Sequence, residues 1–329
     1  MAINFFVYVD ANLHVCLHPL SMNVYYATQD FEAIDNAVVT IGTFDGVHGG
    51  HQKIFKQLND IAFKNKGQSV AITFEPHPRL VLSSNKAPIF LLQTPEEKLK
   101  TLEDAGIQHV LVLPFTLELA HMHWLDFVKE ILVNAVKTKH LVIGYDHHFG
   151  NNREGNIRQL EAVSGEFGFE VHEIPAYLID ETKVSSTKIR RALLDGDVKQ
   201  AAHLLGRPYS IQSEVIKGRQ IGRTIGFPTA NILPPNDHKL IPAIGVYAVK
   251  TLVKNQWYNG MANIGTRPTF DGQTINIEVH LFDFIDDIYG QQIQINFVER
   301  LRNEIKFTGI DALVKQLHHD RTLAMHALV

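Results

Sequence analysis

The sequence contains a single cysteine, Cys16, among its 329 residues. An intrachain disulfide is therefore excluded, and so is a zinc site built from several cysteines. The sequence also lacks an apolar run of the ~18 residues that a transmembrane helix needs. Such sparse use of cysteine is typical of proteins in a reducing compartment, so we expect a cytoplasmic protein.

The sequence has no excess of positive charge. Lysine and arginine total 31 against 35 aspartate and glutamate residues, which gives a net charge of −4. A surface for nucleic acid or for an anionic membrane needs a basic excess, so we expect neither partner. Apolar residues make up 45% and charged residues 20%, as is ordinary for a globular protein. The composition says nothing about the oligomeric state.

Residues 1–21 lack the basic start of a signal peptide and mix aromatic residues with Asp10, His14 and His18. We expect them to be a non-native or disordered extension, with Met22 as the natural start. The remaining length exceeds the ~250 residues that a single core usually supports, so it predicts two domains.

The first predicted domain, residues 22–206, alternates apolar runs with helical patterns. Several of the runs are non-alternating and rich in β-branched residues, which is typical of strands buried on both faces. They lie at residues 38–41, 69–74, 109–114, 141–143 and 169–174. Helical spacing at residues 52–64 and a capping box at Thr94–Glu97 separate them. The pattern predicts an α/β domain of Rossmann-like type with a parallel sheet.

The second predicted domain, residues 207–329, is dominated by strands. They are predicted at residues 209–216, 246–253, 275–284 and 292–298, with a helix at residues 310–328. Ile277 and Val279 alternate with Glu278 and His280, which indicates a half-buried strand. We expect a small antiparallel β-barrel with a terminal helix.

Residues 42–51 (GTFDGVHGGH) follow the first strand and lead into a helix. Glycine lets a ligand approach the backbone, and a helix N-terminus attracts phosphate. His48 and His51 are one turn apart and could donate hydrogen bonds to phosphate oxygens. A plain strand–helix connector and a zinc site are the alternatives; the zinc site lacks an obvious third ligand.

Residues 185–190 (SSTKIR) form a second candidate phosphate motif. Ser185 or Ser186 can cap a helix that begins near Thr187, and Arg190 can bind phosphate with two hydrogen bonds. The alternative is an ordinary capped helix with a solvated arginine.

Together, residues 42–51, 73–78 (TFEPHP), 144–155 and 185–190 resemble the adenylyltransferase half of bacterial bifunctional riboflavin kinase/FAD synthetases. The resemblance implies catalysis by His48, His51 and Arg190. It also implies flavin binding near Asp146, although His147 and His148 replace residues that are more often aromatic and arginine.

Residues 218–231 (GRQIGRTIGFPTAN) are glycine-rich and basic but lack the Walker lysine arrangement. Thr229 and Asn231 are two residues apart, so on a strand both side chains point to one face. Their oxygens suit Mg²⁺ with ATP phosphates completing the shell, whereas the alternative is a strand-end threonine and a turn asparagine.

Glu278 could accept the proton of an attacking hydroxyl, although a solvent-facing strand carboxylate is the common case. With residues 245–247, 263–268 and 297–307, these segments resemble the riboflavin kinase domain. The resemblance implies Mg²⁺ at Thr229 and Asn231, and Glu278 as the base.

The resemblance thus implies an enzyme that phosphorylates riboflavin to FMN with ATP and adenylylates FMN to FAD. The candidate residues fall into four groups. They are the catalytic His48, His51, Arg190 and Glu278; the ATP-binding or phosphate-binding Gly42, Phe44, Asp45, Gly46, Ser186, Thr187, Gly222 and Arg223; the flavin-binding Asp146, Asn263, Arg302 and Glu304; and the metal-binding Thr229 and Asn231. Two rivals remain: a nucleotidyltransferase for another substrate, and a flavin-binding protein without activity.

Overall fold

The structure is a computed structural model, and it describes residues 22–82, 89–145, 147–151, 154–175, 178–179, 182–218, 220–269 and 272–329. The predictions for residues 1–21 and for Asp146 lie outside this range. The chain divides into two compact units. The second unit holds everything described from residue 178 onward, together with Asp45–Gly50 and the described residues of Pro88–Glu97.

The first unit contains a six-stranded parallel sheet in the order β1-β4-β3-β2-β5-β6. The strands are β1 (Asn23–Tyr25), β2 (Ala37–Ile41), β3 (Gln68–Glu75), β4 (His109–Pro114), β5 (Thr138–Gly144) and β6 (Glu170–Ile174). The helices that lie between the strands in the chain are a 3₁₀ helix (Thr28–Asp30), α1 (Gly49–Lys64), α2 (Pro78–Leu82), α3 (Pro95–Asp104), α4 (Leu117–His121), α5 (Trp124–Phe127), a π-helical segment (Val128–Ala135) and α6 (Ile157–Phe167). The predicted α/β fold is confirmed.

The central strands of this sheet are apolar because both of their faces are covered. All five residues of β2 are buried, and an apolar cluster joins Val39, Ile72 and Leu141 to Leu160 of α6. Helix α6 begins at a capping box formed by Asn156 and Gln159. The capping box fixes the start of α6, and its apolar face packs on the sheet. Because the strands are parallel, their carboxyl ends all lie at the same end of the sheet.

The second unit contains a closed antiparallel barrel in the order β10-β13-β12-β11-β14-β9. Its strands are β9 (Tyr209–Ile216), β10 (Ala230–Ile232), β11 (Gly245–Val253), β12 (Gln256–Thr269), β13 (Gly272–Leu281) and β14 (Gln292–Arg302). The unit also holds the short strands β7 (Leu178–Ile179) and β8 (Thr182–Lys183) and the helices α7 (Ser186–Leu194), α8 (Val198–Leu205), α9 (Ile221–Thr224) and α10 (Ile310–Ala327). The predicted barrel and terminal helix are confirmed.

Helices α7 and α8 share one apolar cluster with the barrel interior. Ile189 and Leu204 of these helices are buried in the same cluster as Ile211, Ile277 and Ile295. Helix α10 covers another side of the barrel, where Ala324 packs with barrel residues. The domain boundary at residue 206 stays a prediction, since the compact unit that contains the barrel already includes α7.

A buried ion pair lies inside the second unit. Lys239 is 3% exposed, and its ammonium group donates to Glu97 and to the carbonyl oxygen of Leu92. The Glu97 carboxylate also accepts from the backbone N–H groups of Thr94 and Gln212, at 3.0 and 3.1 Å. Burial lowers the pKa of Lys239, whereas Glu97 raises it.

Replacing Glu97 with alanine is expected to destabilise the protein by about 3–5 kcal/mol, because it leaves a buried ammonium group without its carboxylate. Urea denaturation would measure the change. The neighbouring Glu96 is exposed, so Glu96→Ala should stay within about 0.5 kcal/mol of the wild type. Equal stability losses for the two variants would contradict this role of the pair.

Among the described residues, no helix combines the length and the apolar character needed to cross a membrane.

Candidate active sites

The turn that follows β2 has an unusual backbone. Phe44 and Val47 adopt left-handed conformations, with φ of 48° and 40°, and Gly46 has φ of 89°. A β-branched residue such as Val47 rarely takes this conformation, and each such residue costs about 1–3 kcal/mol. Strained turns of this kind occur where a site fixes its backbone precisely, so the turn is a candidate binding element.

Phe44 anchors the turn in the first unit. Its ring is 2% exposed and packs edge-on against Phe55 and His51, with centroids 5.0 and 5.3 Å apart. A Cβ atom at Gly42 would lie 2.7 Å from the Phe44 ring, so glycine is required there. The buried ring of Phe44 therefore leaves only its backbone to contact a ligand, and the ring packs against His51 on the first turn of α1.

Asp45 organises the part of the turn that belongs to the second unit. Its carboxylate is buried, accepts from the N–H groups of Leu92 and Gln93 at 2.9 and 3.2 Å, and pairs with Arg190. A carboxylate with these partners holds Arg190 in place rather than offering itself to a phosphate.

Helix α7 brings two further predicted residues to the same turn. Ser185 caps the helix by accepting from the N–H of Lys188, as predicted. Ser186 donates to the Asp45 carbonyl oxygen at 2.9 Å, and the Arg190 Nε donates to the Phe90 carbonyl oxygen at 2.8 Å. Asp45, Ser186 and Arg190 thus form one cluster, whereas Thr187 is exposed on the helix surface.

Arg207 is a residue of this cluster that the sequence analysis missed. Its guanidinium group donates to the carbonyl oxygens of Gly46 and Val47, at 2.8 and 3.2 Å. These bonds stabilise the strained turn and place a second positive charge beside it. Arg207 is far from the turn in the chain, and the only local signal was its place next to Pro208 at the predicted domain boundary.

His48 is neutral at physiological pH. It is 8% exposed, and burial lowers its pKa to about 4; Arg207 and Arg190 lower the pKa as well, whereas Asp45 raises it. A neutral imidazole still has one N–H to donate. The turn therefore combines a neutral donor with two arginines and the N-terminus of α1, an arrangement that suits a polyphosphate.

The depressed pKa of His48 predicts a loss of stability in acid. His48 takes up its proton near pH 6.5 in the unfolded chain but only near pH 4 in the folded chain. The contribution of neutral His48 to the free energy of unfolding is therefore fully present above pH 6.5. It is lost as the pH falls from 6.5 to 4, by roughly 3 kcal/mol in total. Urea denaturation at several pH values should show a shallower acid slope for His48→Gln, while the exposed control His319→Gln should keep the wild-type slope. Identical slopes for all three proteins would contradict the assignment.

The second cluster lies on adjacent barrel strands. Asn231 of β10 and Asn263 of β12 both pair in register with Glu278 of β13. The three side chains therefore share the face opposite the core residues Ile277 and Val279. Strand pairing thus brings together two of the predicted kinase residues and one predicted flavin residue.

The Glu278 carboxylate is oriented by two neighbours. Thr229 Oγ1 donates to Glu278 Oε2 at 3.3 Å, and Asn276 Nδ2 donates to Oε1 at 2.9 Å. Asn276 was missed by the sequence analysis, although its position two residues before Glu278 on one strand was a usable signal. The cluster offers hydroxyl, amide and carboxylate oxygens, the ligand types that Mg²⁺ prefers.

Two glycines make room for this cluster. A Cβ atom at Gly218 would lie 2.0 Å from Asn231 Nδ2, and one at Gly222 would lie 2.2 Å from the Phe227 carbonyl oxygen. The glycine-rich loop therefore packs directly against the predicted metal ligand and the segment before Thr229. Arg223, also in this loop, is exposed on α9.

Replacing Gly218 with alanine is expected to displace the Asn231 amide and to lower any activity of the barrel site by on the order of 10²-fold. Chromatography of flavin products made from riboflavin and ATP would measure the loss. Gly309 has open space around its Cβ position, so Gly309→Ala is the matched control and should keep its activity. Full activity in Gly218→Ala would mean that Asn231 does not need its present position.

The remaining flavin candidates have different surroundings. A Cβ atom at Gly265 would lie 2.7 Å from Glu304 and 3.4 Å from Asn263, so these two candidates are neighbours. Arg302, in contrast, forms a paired hydrogen bond with Asp320 of α10 and lies over the Phe307 ring. Arg302 therefore ties β14 to α10.

Family models match both parts of the chain: FAD synthetase over residues 30–188 and riboflavin kinase over residues 205–328. The bifunctional riboflavin kinase/FMN adenylyltransferase of Haemophilus influenzae is 41% identical, over 87% of this chain and 92% of that protein. A protein with the same name from Escherichia coli K12 is 37% identical, over 88% of this chain and 92% of that protein.

A solved structure supports the fold. The crystal structure described as a macrolide-efflux protein from Streptococcus pneumoniae has a TM-score of 0.84 and 34% identity, over 92% of this chain and 98% of that one. Its name differs from those of the sequence relatives, and this match serves only as support for the fold.

A parallel α/β unit with a glycine–histidine turn, followed by a closed barrel with a Thr–Asn–Glu cluster, defines a class of two-part enzymes that transfer phosphorus-containing groups. The chain belongs to the family of bifunctional riboflavin kinase/FMN adenylyltransferases. Enzymes that transfer phosphoryl groups from ATP generally need a divalent metal ion.

Proposed function

We propose that the chain converts riboflavin to FAD in two ATP-dependent steps. ATP first transfers its γ-phosphoryl group to the terminal ribityl hydroxyl of riboflavin, which gives FMN and ADP. The FMN phosphate then attacks the α-phosphorus of a second ATP, which gives FAD and pyrophosphate. Residues 207–329 would carry the first step and residues 22–206 the second.

The observation that carries the kinase assignment is the grouping of three side chains: Asn231 on β10, Thr229 just before that strand, and Glu278 on the adjacent strand β13. Glu278 would accept the proton of the ribityl hydroxyl while the oxygen attacks the γ-phosphorus of ATP. Thr229 and Asn231 would hold Mg²⁺, which neutralises phosphate charge. Gly222 and Arg223 would line the ATP phosphates, since their loop packs against the segment before Thr229.

Adenylyl transfer would use the turn after β2 and helix α7. His48, His51 and Arg190 would stabilise the negative charge that develops on the α-phosphate, while Gly42, Gly46, Ser186 and Thr187 would contact ATP. Asp45 would act as a positioning residue, because it holds Arg190. The neutral state of His48 suits a hydrogen-bond donor that must not retain a phosphate too tightly.

The flavin would be bound by a different set of residues at each step. Asn263 and Glu304, which are neighbours near Gly265, would contact the flavin in the barrel, with Arg302 holding β14, the strand that precedes Glu304, against α10. In the adenylyl-transfer step, Asp146 would contact the flavin.

We also propose a cytoplasmic location, because ATP is the co-substrate of both steps and a single cysteine suits a reducing compartment. Cell fractionation with activity assays of each fraction would test it.

The decisive experiment is to incubate the purified chain with riboflavin, ATP and MgCl₂ and to separate the flavins by chromatography. We expect FMN to appear first and FAD afterwards, with one pyrophosphate for each FAD. Adding EDTA in excess over magnesium should stop both steps. A protein that bound riboflavin but consumed no ATP would overturn the proposal, as would one that adenylylated a different phosphorylated substrate instead of FMN.

A further inference from the structure

Three metal-ligating side chains meet at the edge of the parallel sheet, apart from every residue assigned above. His140 lies on β5, and Glu170 and His172 lie on the edge strand β6. His140 pairs in register with Glu170, and His172 is two residues further along β6. All three therefore project from one face, while Leu141 and Val171, on the opposite face, pack in or against the apolar cluster of the unit.

The three nearest ligand atoms form a compact triangle. His140 Nδ1 lies 3.2 Å from His172 Nε2 and 3.4 Å from Glu170 Oε2, and the latter two atoms are 3.7 Å apart. Zinc binds histidine nitrogen and carboxylate oxygen at about 2.0–2.2 Å, which places tetrahedral ligands about 3.3 Å apart. The point in the plane of these three atoms that is equidistant from them is about 2.0 Å from each, so an ion slightly out of that plane lies within the range of zinc–ligand bonds. The triangle thus has the size of one face of a zinc tetrahedron.

Hydrogen bonding alone satisfies this arrangement poorly. One histidine can donate to the other across 3.2 Å, but the carboxylate oxygen lies 3.7 Å from His172 Nε2, beyond hydrogen-bond distance. Each of the three atoms carries a lone pair when both histidines are neutral and in the matching tautomer. A cation between them would draw all three together, which a single shared proton cannot do.

The ligand types indicate which cation would bind. Two imidazole nitrogens and one carboxylate oxygen suit zinc and its first-row neighbours, whereas Mg²⁺ and Ca²⁺ prefer oxygen ligands. The histidine side chains are 13% and 31% exposed and the glutamate side chain is 72% exposed. The two histidines are largely buried, whereas the glutamate side faces solvent. Water can therefore reach the site from the glutamate side and act as the fourth ligand.

We propose that His140, Glu170 and His172 bind one divalent transition-metal ion, and that zinc is a suitable occupant. The ion would join the edge strand β6 to β5 through side chains, in addition to the backbone ladder between them. Because the ion binds only the folded sheet, it should raise the melting temperature of the protein.

Zinc titration of the full-length chain would test the proposal. The protein is stripped with EDTA, dialysed and titrated with ZnCl₂ by calorimetry without ATP, and melting curves are recorded with and without zinc. We expect one strong site per chain and a higher melting temperature with zinc. Glu170→Gln should weaken zinc binding by at least about 10-fold, because even the loss of a group that only supports a ligand costs about 10- to 100-fold, and His140→Gln/His172→Gln should abolish the strong site.

The control must account for the other histidines, since the chain has 18 in total. His121→Gln/His319→Gln removes two exposed histidines elsewhere and should keep the strong site and the zinc-dependent melting shift. Glu170→Gln changes an exposed side chain, so it tests the site even if the double histidine variant does not fold. Zinc affinity equal to the wild type in Glu170→Gln, or an equal loss in the control, would mean an adventitious ion only and would overturn the proposal.

Discussion

Replacing Glu278 with alanine is expected to lower riboflavin phosphorylation by about 10²- to 10⁴-fold, the usual contribution of a positioned general base. The carboxylate is held by Thr229 and Asn276 and faces Asn231 across the strand pair. It is thus fixed beside the proposed metal ligands, where the attacking hydroxyl would lie. FAD formation from supplied FMN should keep its wild-type rate, because adenylyl transfer uses other residues. Rates measured separately from riboflavin and from FMN give the two activities.

Two further variants distinguish the role of Glu278 as a base from a purely structural role of its side chain. Glu278→Gln can still accept from Thr229 or Asn276 but cannot take up a proton, so it should lose nearly as much kinase activity as alanine. Glu299 is another half-buried barrel glutamate, and it pairs with Lys199 instead; Glu299→Ala should keep both activities. The assignment fails if Glu278→Ala, still folded, loses both activities equally or keeps its kinase activity.

The fold was largely predictable because its signals are local. Five of the six parallel strands overlap the predicted runs, and Thr94 and Glu97 exchange the hydrogen bonds of the predicted capping box. The strand β1 was missed because three residues, Asn23–Tyr25, carry no periodicity and pair only with β4. The strand β12 was missed because Asn259, Gly260 and Gly265 interrupt its pattern. Its neighbours β11 and β13 supply the hydrogen bonds that make it a strand.

The candidate sites were predictable as residue types but not as contacts. Thr229 and Asn231 are close in the chain, and their spacing alone placed them on one face. Their meeting with Glu278 depends on the pairing of β10 with β13, which no local pattern encodes. Arg207 and the buried pair of Lys239 with Glu97 were missed for the same reason. Long-range polar contacts of this kind follow from tertiary packing rather than from periodicity.

Replacing His48 with alanine is expected to lower FAD formation from FMN by at least about 10²-fold, the cost of losing one donor to a developing oxyanion. His48 lies at the strained turn that Arg207 holds, next to the start of α1, and its low pKa keeps it neutral. A neutral donor contributes little to ground-state attraction of ATP, so the loss should fall on kcat more than on KM. Riboflavin phosphorylation should be unchanged, and steady-state rates with FMN and with riboflavin would measure both effects.

The controls distinguish a lost hydrogen bond from a lost packing contact. His48→Gln keeps an N–H donor of similar reach, so it should recover part of the FAD-forming rate that alanine loses. His109 is as buried as His48 but lies on β4 against Tyr25 and Gln68. His109→Ala should therefore reduce stability without a selective loss of FAD formation in the folded protein. If His48→Ala raised KM for ATP with kcat unchanged, His48 would bind ATP equally in the ground and transition states, and its catalytic role would be wrong.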